Sequence, residues 1–155
     1  MAFFLWCNDT ALAVAMRDSV WLFPVIEVFH LIGLAALAGA VLLVDLRLIG
    51  VGLDGVPVAR LARAARPWLL GSLALTVASG VLLFVSEPLK CYENPAFWLK
   101  LASLTAALLF TAVVRPRFTR DTAPSGARLA GRLAGVTSLV LWIGVAAAGR
   151  GIGFW

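Results

Sequence analysis

The chain is 155 residues long, with 62% hydrophobic and 14% charged residues, a formal net charge of +5 and a mean hydropathy of +0.98. Those proportions lie well outside the range of water-soluble globular domains and predict an integral membrane protein. No stretch is polar enough for a second, soluble domain, so residues 1–155 read as one transmembrane domain.

The opening "MAFFLWCNDT" has no basic residue before Arg17 and meets Asn8 and Asp9 early, unlike a secretory signal peptide, so it is expected to be retained. Asn8 to Thr10 supply a helix-capping start. The following "ALAVAMRDSV" gives about two turns of small apolar residues, too short to span and suited to the interface.

A spanning helix needs about 20 apolar residues, and four segments qualify: 21 to 44, 67 to 86, 96 to 114 and 132 to 149. The fold class is therefore all-α, a four-helix membrane bundle preceded by a short interfacial helix. The connection 45 to 66 holds Asp45, Arg47, Asp54, Arg60, Arg63 and Arg66. The connection 115 to 132 holds Arg115, Arg117, Arg120, Asp121, Arg128 and Arg132. Nine of the 13 basic residues thus fall in two connections, and the positive-inside rule turns both toward the cytoplasm of a bacterial inner membrane. Both termini and the loop "SEPLKCYENPAF" then face the periplasm. The positive charge reads as topology, because nucleic-acid binding would call for basic residues interleaved with exposed aromatics or set on a recognition element.

This topology places Cys7 and Cys91 on the oxidising side, where a disulfide between them, two unrelated thiols and, as a weaker third, a paired soft-metal site with an incomplete ligand set are open readings. Within the helices, small and polar residues form stripes at helical spacing. Ser72, Thr76 and Ser79 lie on the second span; Lys100, Ser103, Ala107 and Thr111 on the third; Gly131, Gly135, Ser138 and Gly149 on the fourth. Small residues let membrane helices approach closely, so packing accounts for most of these.

Glu27 and His30, three residues apart, lie on neighbouring positions of the first span, and His30 is the only histidine. Counting from Trp21 at 1.5 Å per residue, they sit about 9 and 13 Å below the outer boundary, with Lys100 about 6 Å deep on the third span. Neighbouring helices would gather Glu27, His30 and Lys100 into one outer-leaflet cluster, with Arg150 and Tyr92 at its mouth. Lys100 is able to snorkel and Glu27 to pair with it or with Arg150 as a structural arrangement. His30 is too deep to snorkel and needs a hydrogen-bond partner, a ligand or a metal. The glycines of "GVGLDGV" lack the lysine and serine of a phosphate-binding loop.

"WLFPVIEVFHLIGLAALAGAVLLVDLRLIG", "ARPWLLGSLALTVASGVLLF", "CYENPAFWLKLASLTAALLF" and "LWIGVAAAGRGIGFW" together resemble a bacterial membrane-protein family of unknown function over nearly the whole chain. More distantly, a first-span histidine, a glycine-containing second span and an early lysine in the third resemble the CopD-type copper-resistance domain and the HemJ-type protoporphyrinogen oxidases. The latter resemblance implies His30 as a haem b ligand and Lys100 as the lysine of a W-x-K-L motif. Those oxidases carry further histidines, absent from this chain. Copper(I) sites favour Met and Cys, whereas Met1, Met16, Cys7 and Cys91 all fall outside the spans.

Three functions follow as expectations. The first is haem b binding through His30, with Glu27 charging the site and Lys100 or Arg150 meeting a propionate, for electron transfer or porphyrin oxidation. The second is copper or proton binding and transport through Glu27 and His30. The third is a non-catalytic accessory subunit of a larger membrane complex or homo-oligomer, in which the polar residues form a buried network.

Overall fold

The computed structural model describes residues 1–52, 55–119 and 128–152. Asp54, Arg120, Asp121 and the end of "GIGFW" lie outside the described residues. Two short helices come first, α1 (Ala2–Asn8) and α2 (Ala11–Asp18). The Thr10 side chain caps α2 by accepting from the Ala13 amide at 3.2 Å, as the capping signal anticipated. Helix α1 was not anticipated.

Four long apolar helices follow, which makes the chain a multi-pass membrane protein with an all-α fold. They are α3 (Leu22–Ile49), α4 (Val58–Ser86), α6 (Pro95–Leu109, extended by a π turn over Phe110–Val114) and α8 (Arg128–Gly151). Short helices α5 (Pro88–Glu93) and α7 (Pro116–Thr119) flank α6. Helix α3 packs on both α4 and α8, and α6 leans on α8.

Three boundaries differ from the sequence reading. Helix α3 continues past residue 44 to Ile49, α4 begins at Val58 rather than at residue 67, and α8 begins by Arg128 rather than at residue 132. Hydropathy marks only the apolar crossing, whereas a helix persists wherever its backbone hydrogen bonds are best made internally. The stop for α3 is Gly50, whose φ of +93° is a left-handed conformation that favours glycine. Pro67 reads as a helix start by composition, yet α4 runs through it. Asp45, Arg47, Arg60, Arg63 and Arg66 therefore stand on helices and not in a loop.

Lipid tails are as apolar as the side chains they meet, so helix association rests on close contact and polar pairing. A Cβ at Gly33 would come within 2.6 Å of Thr76 Oγ1 and 3.2 Å of the Thr76 amide, so glycine sets the α3–α4 approach. At the other end, a Cβ at Gly135 would lie 2.9 Å from the Asp45 carbonyl oxygen and 3.1 Å from Leu48 Cβ. Val44, Leu48 and Ala65 form a small apolar core there, covered by Leu61, Ala62 and Phe118.

The sequence places Arg115 among the topology-setting charges of a connection. Instead it is 5% exposed, with Nη2 lying 2.8 Å from Oδ1 of the fully buried Asp45. The same nitrogen donates to the Val41 carbonyl at 3.0 Å. Ser138, also fully buried, stands beside the carboxylate. The π turn explains how Arg115 reaches inward. Its amide donates to the Phe110 carbonyl five residues back at 3.0 Å, and one residue beyond the α-helical period rotates everything downstream by about 100°. Removing one member of a buried pair strands the other charge. Arg115→Met is expected to destabilise the protein by about 3–5 kcal/mol, with much of that loss recovered in Asp45→Asn/Arg115→Met. Thermal melts of helical circular dichroism in detergent test this; equal melting of the single and double variants would refute the pairing.

Candidate functional site

His30 sits about 12 Å along α3 from its start at Leu22, and is 8% exposed. It faces α4. Its Nδ1 lies 3.0 Å from Ser79 Oγ, and the Thr76 backbone is also in contact with the ring. A serine hydroxyl has one proton, and Ser79 donates it to the Leu75 carbonyl at 2.6 Å, the usual way a helical serine in lipid satisfies itself. Ser79 Oγ is then the acceptor and Nδ1–H the donor, which assigns the ring's lone pair to Nε2. Gly80 makes room for the imidazole: a Cβ there would approach His30 Cε1 to 3.1 Å.

Lys100 enters from α6. Its side chain lies over Gly149 of α8, where an added Cβ would stand 3.5 Å from Cε and 3.6 Å from Nζ. The ammonium is near enough to act electrostatically on both His30 and Cys91. Among the described residues, no hydrogen bond or ion pair satisfies Nζ. The site thus comprises one imidazole whose Nε2 carries the lone pair and, within electrostatic range of it, one half-buried ammonium with no counter-ion among the described residues.

Glu27 does not join them. It lies on the exposed face of α3 while His30 is buried, because the 60° between positions three apart is enough, at the edge of a bundle, to turn one side chain inward and the other outward. Arg150 is exposed one residue beyond Gly149. Tyr92 belongs to an aromatic roof. Its ring is 4.8 Å from Phe4 and 6.3 Å from Trp98, and its carbonyl accepts from Trp98 Nε1 at 3.0 Å. Phe84 of α4 stacks on Phe97 of α6 at 5.7 Å. Arg17 fastens α2 to the end of α4, donating to the Ser86 carbonyl at 3.0 Å and to the Asn8 carbonyl at 2.7 Å. Asn94 caps α6 and donates to the Ile152 carbonyl at 3.1 Å, tying the end of α8 under the same roof.

The sequence reading missed the Asp45–Arg115 centre and the orphaned Thr76 hydroxyl, which is buried without a hydrogen-bond partner. Asp45 fell one residue past the assigned apolar run, and nothing in that count marked it as buried. Between His30 and Asp45 the buried positions of α3 are Gly33, Leu37, Ala40, Val41 and Val44. On α3 the two polar centres are therefore separated by apolar and small residues, while Ser72 of α4 is buried at a level between them.

Cys7 is buried and Cys91 half-buried, both as free thiols on the packed helices α1 and α5. Burial pushes the Cys91 thiol above the ordinary range, and Glu87 adds to the effect. The thiolate is the nucleophile, so alkylation of Cys91 in a Cys7→Ser variant should be slow at neutral pH and keep accelerating above the ordinary thiol pKa. A rate that levels off below that pH, followed by intact mass, would contradict the burial.

No curated protein and no solved structure matches the chain. A family model matches residues 3–155, almost the full length. The chain belongs to the family of unknown function DUF6644.

Proposed function

We propose that the protein binds one haem b through His30 Nε2 and serves electron transfer or porphyrin-related redox chemistry in the membrane. The observation that carries this reading is the deep histidine whose Nδ1–H is committed to Ser79. Iron- and metal-ligating histidines are held in this way, one nitrogen anchored and the other presented. Lys100, which has no hydrogen-bond or ion-pair partner among the described residues, supplies the cation that a propionate would meet. The resemblance of His30 and "WLKL" to the HemJ-type oxidases points in the same direction.

Among the described residues, no three His, Cys, Asp or Glu side chains converge on one point. A bare copper ion would find an incomplete shell there, whereas a porphyrin brings four nitrogens and asks the protein for a single ligand. Haem iron supplies one-electron exchange when bound. The arginine-rich ends of α3, α4 and α8 support a bacterial inner-membrane orientation with those ends cytoplasmic and both termini periplasmic.

Protein expressed with haem supplementation and purified in mild detergent is expected to show a Soret band, sharpened α and β bands on reduction, and a carbon monoxide shift, because the chain has no second histidine. His30→Ala should remove the bands while the protein keeps its helical circular dichroism. Lys100→Met should keep them and release haem faster on washing. A colourless wild-type protein, or bands unchanged in His30→Ala, would overturn the reading and favour an accessory subunit.

A further inference from the structure

A groove runs along the outside of the α3–α4 pair, lined by Ile32 and Ala36 on one side and by Pro67, Trp68, Gly71 and Leu75 on the other. Gly71 leaves its floor open, with no atom within 4 Å of where a Cβ would stand. The two helices are antiparallel in a fixed register. Gly33 meets Thr76, Gly80 meets His30, and Val44 and Leu48 share a core with Ala65 and Leu61. That register puts Arg47 of α3 within about one turn of the level of Arg60 on α4.

Both arginines lie on the groove's own faces. Arg60, Ala64, Pro67, Gly71 and Leu75 follow one another at spacings of three and four on α4, as Ala36, Leu43 and Arg47 do at seven and four on α3. Arg60 is exposed, and Arg47 donates Nε to the Val56 carbonyl at 2.8 Å, which holds it at this end of the helix. From Arg60 to Leu75 the helix rises about 22 Å, the depth of one bilayer leaflet with its headgroup. Trp68, 71% exposed, sits two turns above Arg60, near the boundary where indole rings anchor.

From this we infer that the α3–α4 groove holds an anionic phospholipid of the leaflet on the arginine-rich side, one acyl chain along Gly71 and the phosphate between Arg47 and Arg60. The site is separate from His30 and makes no use of a cofactor. A neutral or zwitterionic lipid would fill the apolar part equally well, so charge at the arginine end sets the preference.

The test is native mass spectrometry of the full chain released from nanodiscs of equimolar phosphatidylglycerol and phosphatidylcholine. Wild-type protein should retain phosphatidylglycerol in preference. Arg60→Gln should lower the retained glycerol-to-choline ratio roughly fivefold. Arg66→Gln, the same charge removed from a different face of α4, should leave the ratio unchanged. Gly71→Leu, which the open space accommodates, should reduce retention of both lipids. An equal fall in Arg60→Gln and Arg66→Gln would assign the preference to the general field of the protein and overturn the site. So would lipid retention undiminished by Gly71→Leu, or a dimer that Gly71→Leu dissolves, since the groove would then belong to a second copy.

Discussion

The rest of the structure depends on how closely α3 can approach its neighbours. In a bilayer, separating two apolar helices exposes them only to more hydrocarbon, so the hydrophobic effect that assembles soluble bundles contributes little between spans. Contact must be near enough for dispersion and polar pairing to decide the outcome. Gly33 provides that approach toward α4, and Gly135 provides it toward α8. The site follows directly, because Ser79 and the Thr76 backbone reach His30 only across the gap that Gly33 and Gly80 have closed.

The second constraint is the buried charge pair at the opposite end. Asp45 and Arg115 sit where an isolated charge is costly, and each makes the other tolerable. Their meeting requires the π turn at Phe110–Val114, which trades regular α-helical bonding for a rotation that brings Arg115 inward. Trp142 of α8 donates to Thr111 within that turn at 3.3 Å. Helix α6 has little buried surface of its own, so this pair and the Phe118 contact secure its far end, while Asn94 and the aromatic roof secure its near end. Lys100 is thereby held over Gly149 of α8.

The polar interior is thus divided into two compartments with different characters. The one around His30 has an imidazole bonded to Ser79 and an ammonium with no ion-pair partner among the described residues. The one around Asp45 is a buried ion pair with Arg115. The exterior α3–α4 groove lies on the lipid side of the same helix pair. One close helix pairing therefore organises an inward-facing site and an outward-facing one.

Sequence alone determined that this chain crosses a membrane four times, since each span is long and apolar enough to decide its own solvent without a partner. It also singled out His30 and Lys100, because an ionisable residue within an apolar run is conspicuous by its cost. Composition could not decide which way a side chain near a bundle edge turns, so Glu27 and His30 both stood as members of one cluster until the packing buried one and exposed the other. Nor could it distinguish an arginine that marks topology from one that is buried. Arg115 belongs to a basic cluster in sequence and to Asp45 in space, a partnership made by a single-residue change in helical period. Only the tertiary structure decided these pairings, because they depend on which helices become neighbours and in what register.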